Sequence, residues 1–344
     1  MTSTPMPTML PLPVRTTAPR RRRFNAKAWA PYLFVSPFFI LFTAFALFPL
    51  LFSGYVSLFK WDGINDMEWE GLGNYLWTLD LDGLKWDALF HPAFWEDLYS
   101  RDFWRSLYNT LWIGVVGGVP QHLVAIPLAF FIHTHLRRLR NPVLALYFLP
   151  FITNTVAIAL VFQALFSTQF GVVNTILTGI GSFDIAGFHP LGWLFPQTRI
   201  DWANPDKTRW IVSFVVWWRY VGWNTVLYIA ALQTIPKDIY EAAKVDGATT
   251  WQQFWYITIP LLRPMMFFAV TLTMIGSLQM FEESYILTGG TGGVGRVAET
   301  SAMFMLKIGM TDGDFGTASA VAWLLFMFIA LLTWLNNRLM KPKD

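Results

Sequence analysis

The side chains that carry out covalent or metal chemistry are scarce in this sequence. There is no cysteine, which excludes disulfides, thiolate metal sites and a thiol nucleophile. The histidines show no metal-type spacing with acidic residues, and no Ser, His and Asp form a recognisable catalytic arrangement. The phosphate-binding pattern GxxxxGK[ST] is also missing, so this chain is not predicted to hydrolyse ATP. A membrane-embedded enzyme therefore stays an alternative function, but no catalytic motif supports it.

The remaining candidates are polar side chains that interrupt long apolar stretches. Such groups are costly against lipid and normally face an interior cavity, so they predict a path for a polar solute. The candidates are Thr153, Asn154, Thr155, Gln163, Arg219, Asn224, Thr271, Thr273, Ser277, Gln279 and Glu282. Two other readings stay open: Ser and Thr hydroxyls often bond to their own helix, and Arg219 could reach a membrane surface or bind an anionic substrate.

The composition places these residues in a membrane protein. Of 344 residues, 14% are charged and 54% are hydrophobic, whereas soluble domains contain about 25% charged residues. Apolar runs long enough to cross a bilayer need about 20 residues. Six such runs predict an all-α bundle, and they cover residues 32–59, 106–132, 143–166, 210–233, 265–281 and 315–335. Prolines inside these runs predict kinks.

The charges orient this bundle. The odd-numbered segments between the spans hold 15 basic and four acidic residues, a charge of +11, whereas the even-numbered segments hold nine basic and 18 acidic residues, a charge of −9. The excess of Lys and Arg predicts that the odd segments and both termini are cytoplasmic. The predicted regions are a basic tail at 1–31, a transmembrane domain at 32–337 with an external loop at 60–105, and a tail at 338–344. The external loop is predicted to contain short helices.

The segment 235–263, between spans four and five, has strong local signals. Pro236 and Asp238 favour the start of a short helix, and Gly247 can adopt the left-handed conformation that ends it. Thr249 and Gln252 form a predicted capping box for a second helix that ends before Pro260. The expected product is a helix-turn-helix on the cytoplasmic face. Its apolar side chains, which are expected to dock on the bundle, are Ile239, Ala242, Ala243, Phe254, Trp255 and Ile257.

This segment resembles the permease subunits of binding-protein-dependent ABC importers. The family pattern is Glu-Ala-Ala, three residues, Gly, about nine residues and an Ile-x-Leu-Pro ending. Here it reads Glu241-Ala242-Ala243, Asp246-Gly247-Ala248, Phe254 and Ile257-Thr258-Ile259-Pro260, with Ile259 where Leu is common. The stretches at 69–75 and 103–110 resemble further elements of this family. Those at 230–236 and 287–290 resemble its carbohydrate branch, nearer the first permease subunit, as in maltose and glycerol-phosphate importers. The sequence departs from the family at Thr291-Gly292-Gly293, where relatives often have a proline after the glycines.

The resemblance implies a type I importer fold in a bacterial or archaeal cytoplasmic membrane. It implies a second homologous permease subunit, two ATPase subunits that bind ATP and Mg, and an external solute-binding protein, but no nucleic-acid partner and no cofactor or metal on this chain. The residues implied in ATPase coupling are Glu241, Ala242, Ala243, Asp246, Gly247, Phe254, Ile257 and Pro260, with Glu241 pairing to a basic residue. The expected substrate path comprises Asn154, Arg219, Asn224, Thr273, Ser277, Gln279, Phe281 and Glu282.

The resemblance implies a sugar or oligosaccharide as substrate, and aromatic residues such as Trp218, Trp223 and Phe281 are expected to stack on sugar rings. An anionic polyol such as glycerol phosphate is an alternative, because Arg219 would attract it. An ion-gradient-driven transporter is a further alternative, but it would usually need a carboxylate within a span. In the sequence, the candidates nearest to a span are Glu282 and Glu283 at its outer end.

Overall fold

The computed structural model describes residues 26–84, 89–136, 139–183 and 191–340. Most of the predicted basic tail lies outside these residues, as do Arg137 and Arg138, positions 85–88 of the predicted external loop and the last four residues. The chain divides into two units, residues 1–52 and 53–344. The first unit contains α1 (Ala26–Phe42), a π-helical turn (Thr43–Leu47) and the start of α2 (Phe48–Val56).

The second unit is built almost entirely from helices. A two-residue hairpin, β1 (Phe59–Lys60) paired antiparallel with β2 (Glu68–Trp69), precedes them. The helices are α3 (Gly73–Leu79), α4 (Pro92–Ser100), α5 (Asp102–His135), α6 (Arg140–Ile152), α7 (Thr155–Leu165), α8 (Val172–Gly181), α9 (Pro205–Leu232), α10 (Lys237–Val245), α11 (Thr250–Gln253), α12 (Ile259–Leu278), α13 (Glu282–Leu287), α14 (Ser301–Leu306) and α15 (Phe315–Met340). The short helices α3 and α4 occupy the loop at 60–105, as predicted.

Each of the six predicted spans falls on helix, which confirms the all-α fold. Among the described residues, four helical stretches are long and apolar enough to cross a membrane, namely Pro31–Val56, Asp102–His135, Thr250–Leu278 and Phe315–Arg338. The bent pair α6 and α7 makes a fifth candidate. The predicted fourth span lies in α9, which has 28 residues but is not among these candidates. Arg219 and Asn224 make α9 more polar than the other spans.

The third span differs from the prediction of a single helix. It is broken between α6 and α7, whose axes differ by 91°. Thr153 is extended, and the Asn154 side chain accepts hydrogen bonds from the backbone N–H groups of Val156 and Ala157. Asparagine in this position caps a new helix start, so the sequence begins a second helix here. Pro150 was expected to produce a kink, but the structure shows a break.

Polar side chains connect the central helices. The Gln121 amide of α5 donates to the Val216 carbonyl of α9 (3.3 Å) and accepts from Asn224 (2.9 Å). His122, one residue along α5, contacts the Tyr228 hydroxyl of α9 (2.8 Å) and Thr273 of α12 (3.1 Å). Because buried polar groups are costly without partners, these bonds fix α5, α9 and α12 in register.

Gly222 allows α6 to approach α9 closely. A methyl group on Gly222 would lie 1.7 Å from the Tyr147 carbonyl oxygen. We expect Gly222→Ala to lower the free energy of unfolding by about 1–3 kcal/mol, because the added carbon overpacks the contact. Thermal unfolding of the purified protein measures this loss. Gly179→Ala is the control, since a methyl group there meets nothing within 4 Å. Equal melting of both variants would contradict the role of Gly222.

Candidate functional site

A cavity of about 470 Å³ lies between α5, α9 and α12, and the starts of α7 and α13 complete its wall. Seven of the eight residues predicted for the substrate path line it, namely Arg219, Asn224, Thr273, Ser277, Gln279, Phe281 and Glu282. They converge from α9, α12, the α12–α13 connection and the first residue of α13. The cavity therefore brings together side chains that are distant in the sequence, such as Gln121 and Glu283.

Asn154 is the predicted path residue that does not line this cavity. Its carboxamide oxygen is occupied by the two backbone N–H groups at the start of α7. Thr155, the next residue, lines the cavity instead. The role of Asn154 in the substrate path stays a prediction. The sequence did not reveal this cap, because the third span was predicted as one helix.

Some polar side chains of the cavity are bonded to other residues of the chain, and others are free to bind a solute. Asn224 and Thr273 are held by Gln121 and His122, respectively. Within the described residues, the side chains of Ser277 and Gln279 make no hydrogen bond, and Gln279 is exposed to the cavity. Free hydroxyl and amide groups can donate to and accept from an uncharged polar solute. Gln121 was not predicted, although a glutamine inside the apolar run 106–132 was a visible signal.

Arg219 does not carry a free charge into the cavity. Its Nη1 lies 2.6 Å from Glu283 Oε1, and the two side chains are 12% and 6% exposed. The Tyr220 hydroxyl donates to the same carboxylate oxygen at 3.2 Å. This ion pair crosses from α9 to α13 and neutralises both charges. Sequence analysis placed Glu283 at the outer end of a span and did not pair it with Arg219, because that pairing depends on the chain turning after α12.

Aromatic rings form one side of the cavity. Trp223 and Phe281 line it, as expected for sugar stacking. The Trp223 ring is itself held by Phe151, with ring centroids 4.5 Å apart and planes 20° apart. Trp218, the third predicted stacking residue, does not line the cavity and packs edge-on against Phe162 at 5.1 Å. Across the described residues there is no cluster of three or more acidic or histidine side chains able to hold a metal ion.

The second candidate site is the segment that follows α9. Pro236 precedes α10, and Gly247 has a φ of +82°, the left-handed conformation expected of a helix-ending glycine. Thr249 and Gln252 form the predicted capping box at the start of α11. The first helix, the turn and the start of the second helix predicted for 235–263 are therefore present.

The second helix of this segment does not end before Pro260, which corrects the prediction. It continues through a π-helical turn (Phe254–Thr258) into α12. In this turn the Ile259 N–H bonds to the Phe254 carbonyl, five residues back. The wider turn ends next to Pro260, whose ring and missing N–H do not fit a regular helix interior. As a result, the second helix of the segment 235–263, which we call the coupling segment, forms one continuous helix with the fifth span, Thr250–Leu278.

The contact between this segment and the bundle also differs from the prediction. Phe254 is buried and packs on Phe130 of α5 with ring centroids 5.2 Å apart, but Ile239, Ala242 and Trp255 are exposed. Tyr240 attaches α10 instead, with its hydroxyl 2.9 Å from that of Thr258. Burial raises the pKa of Tyr240 and keeps this hydroxyl protonated.

The outer face of the segment combines charged and apolar side chains. Five of its exposed side chains, which we call the coupling surface, are Ile239, Glu241, Val245, Trp251 and Tyr256. Val245 is 88% exposed and Tyr256 80%. Exposed apolar and aromatic side chains of this kind mark a protein interaction site. Charged side chains of the segment that are exposed as well are Lys237, Asp238, Lys244 and Asp246.

These features together define a membrane permease: a helical bundle with a polar cavity and an adjoining surface suited to another protein. The chain belongs to the family described as binding-protein-dependent transport system inner membrane component, whose model matches residues 125–341. It is therefore a multi-pass component of a transport system.

Sequence relatives align with this chain over nearly its whole length. The lactose transport system permease protein LacF of Rhizobium radiobacter is 31% identical over 92% of this chain and 94% of its own. The arabinooligosaccharides transport system permease protein AraP of Bacillus subtilis (strain 168) is 29% identical over 93% and 91%. A crystal structure of a bacterial ABC transporter involved in alginate import contains a chain with the same fold, with a TM-score of 0.68 and 21% identity over 92% of this chain and 98% of that one.

Proposed function

We propose that this chain is a permease subunit of an ATP-driven importer that moves an uncharged sugar or oligosaccharide into the cytoplasm. The observation that carries the proposal is the central cavity, where free hydroxyl and amide groups stand beside Trp223 and Phe281. Sugars present hydroxyls at the ring edge and apolar C–H faces, so they need both kinds of neighbour. The names of the relatives, which refer to lactose and arabinooligosaccharides, support the same substrate class.

The Arg219–Glu283 pair favours an uncharged substrate over an anionic polyol. An anion would require an unpaired cation, and the described residues that line the cavity contain no basic side chain besides Arg219. Releasing Arg219 would leave Glu283 buried and unpaired, at a cost of about 3–5 kcal/mol. Glu282 adds a negative charge to the cavity wall, which further disfavours anions.

The transport system contains several other proteins in this proposal. A second homologous permease subunit completes the path, and an external solute-binding protein delivers the sugar. Two ATPase subunits bind ATP and Mg, hydrolyse the nucleotide and dock on the coupling surface, with Glu241 facing a basic residue. This arrangement places the coupling surface and both termini in the cytoplasm, in accord with the charge distribution of the sequence.

Reconstituted vesicles test the energy source and the class of transporter. The complete complex is expected to take up sugar when ATP is supplied to the side of the coupling surface, in the absence of any ion gradient. Uptake by this chain alone, driven by a sodium or proton gradient, would refute the proposal and would identify a secondary transporter.

Gln279→Leu tests the cavity. We expect it to reduce sugar uptake about tenfold with little change in folding, because an exposed amide that bonds to substrate is replaced by a side chain of similar size. Uptake by the reconstituted complex measures the effect. Asn337→Leu is the control, since it also replaces an amide by leucine, at an exposed position near the end of α15 that does not line the cavity. Equal uptake by the two variants would remove Gln279 from the path.

A further inference from the structure

A second cavity, of about 440 Å³, lies on the same helices as the central one. Its wall combines the far end of α7, the first turns of α9 and the glycine-rich segment after α13. On α7, Thr155 lines the central cavity and Gln163 the second one. Eight residues of helix separate them, which corresponds to about 12 Å along the axis.

The second cavity lies on the side of the central cavity away from the coupling surface. The α9 helix runs from Thr208, in the second cavity, to Arg219 in the central one, and then ends at Leu232 before the coupling segment. Val212 lines the second cavity and Val216 the central one, so the two cavities follow each other along α9. In the orientation proposed above, the second cavity is the outer one.

The chemistry of the outer cavity repeats that of the central cavity without its charges. Its wall, as far as the described residues show, contains no acidic or basic side chain. Gln163 is exposed there and makes no hydrogen bond with another described residue. An unpaired amide on an apolar helix is costly against lipid, which indicates a water-filled or ligand-filled space. Thr168 and Thr288 also lie in this wall, but their hydroxyls are already bonded. The Thr168 hydroxyl donates to Asp201 at 3.2 Å, and the Thr288 hydroxyl donates to the Ser284 carbonyl at 2.7 Å.

An aromatic surface completes this wall. Trp202 and Phe166 both line the cavity, and their rings pack edge to face with centroids 5.0 Å apart, which fixes the orientation of the indole. Gly293 has a φ of +76° and lies in the same wall, so the backbone of this segment approaches the cavity without side chains. A rigid aromatic face in the same wall as an unpaired amide is suited to a sugar ring.

We propose that the outer cavity is a saccharide subsite, which holds a further sugar ring of an oligosaccharide whose leading end occupies the central cavity. The inference rests on the proposed function and extends it. Since the two sites are about 12 Å apart along α7, one sugar ring does not reach both. The outer subsite therefore contributes to the binding of chains of several sugars and contributes nothing to the binding of a monosaccharide.

The absence of cysteine from the sequence allows a direct test of both cavities. Three single-cysteine variants are prepared in the complete complex: Gln163→Cys in the outer cavity, Ser277→Cys in the central cavity and Ala164→Cys as control. Ala164 is exposed at the same depth of α7 but does not line either cavity. Each variant is labelled from outside with a membrane-impermeant maleimide, with and without uncharged arabinose-type, lactose-type and maltose-type sugars of increasing length.

We expect Gln163→Cys to be labelled faster than Ala164→Cys, because its side chain faces water. At a concentration about ten times its Kd, a chain of several sugars should slow labelling about tenfold at both Gln163→Cys and Ser277→Cys. A monosaccharide should protect Ser277→Cys alone.

Failure of the outer subsite and failure of the proposed function give different labelling results. Protection of Ser277→Cys by every sugar that binds, with none at Gln163→Cys, would overturn the outer subsite and leave the proposed function intact. Labelling of Gln163→Cys at the slow rate of Ala164→Cys would also overturn it, since the cavity would then not be open to water. Failure of every sugar to protect Ser277→Cys would count against the sugar-importer function itself, and the outer subsite would fall with it.

Discussion

Glu241→Arg is expected to leave the protein in the membrane and to reduce sugar uptake about 100-fold or more. Glu241 is exposed on α10, so the larger arginine side chain meets no packing obstacle within the chain. The loss arises at the proposed ATPase contact, where a paired carboxylate becomes a cation facing a basic residue. Disrupting a buried charge pair at a protein interface costs about 2–5 kcal/mol. Stimulation of ATP hydrolysis by the loaded binding protein should disappear together with uptake.

Neighbouring side chains explain the expected size of this effect. Val245, Trp251 and Tyr256 are exposed apolar side chains of the same segment, and we expect docking of an ATPase subunit to remove water from them. Charges act more strongly where water is excluded. Since α10 is a short helix anchored by Tyr240, we expect displacement of the proposed ATPase subunit to reach the bundle as a rigid-body movement.

A matched variant separates coupling from folding. Glu68→Arg makes the same charge reversal at an exposed residue of the β1–β2 hairpin, outside the coupling surface, and should retain ATP-dependent uptake. Reconstituted vesicles measure uptake and ATP hydrolysis for both variants. Wild-type uptake by Glu241→Arg would exclude Glu241 from the coupling contact. Restoration of uptake by reversing the partner's charge would identify the basic residue on the ATPase subunit.

Glu283→Ala is expected to lower the free energy of unfolding by about 3–5 kcal/mol, because it leaves Arg219 charged, largely buried and unpaired. The double variant Arg219→Leu with Glu283→Leu should recover most of this loss, since replacing both members of a buried ion pair by apolar residues is often neutral. Thermal unfolding of the purified complex gives the stabilities, and the single variants Arg219→Leu and Glu283→Leu complete a double-mutant cycle with the double variant.

The neighbouring carboxylate provides the control for this pair. Glu282 is exposed, and among the described residues its side chain forms no ion pair. Glu282→Ala should therefore change the stability by less than about 0.5 kcal/mol. If Glu283→Ala and Glu282→Ala melt at the same temperature, the Arg219–Glu283 pair does not stabilise the bundle, and the argument for an uncharged substrate loses its basis.

In the coupling segment, local sequence signals predicted where helices begin and end. The effects of Pro236, Gly247, Thr249 and Gln252 were predictable from the sequence, because these residues act on neighbouring backbone groups. The continuation past Pro260 was not, because it depends on a π-helical turn that shifts the hydrogen-bond register. The docking of α10 through Tyr240 in place of Ile239 depends on the position of Thr258, which that same turn sets.

The residues that line the cavity were also predictable from the sequence only in part. Polar residues in apolar runs identified seven of its predicted lining residues, because the cost of polar groups in lipid depends only on their presence in a span. Asn154 does not line the cavity, since it caps a helix start at a break that the run of apolar residues did not reveal. Gln121 belongs to the wall through packing between helices.

The sequence by itself determined that this chain is a helical membrane protein of the permease family and where most of its helices lie, whereas the contact of the segment 235–263 with a partner stays a prediction. Composition, apolar run length and local capping are properties of neighbouring residues, and these are visible without a fold. Only the tertiary structure decided that Arg219 is neutralised by Glu283, 64 residues away, and that an outer cavity follows the central one. Both depend on how separate helices approach one another, which no local pattern records.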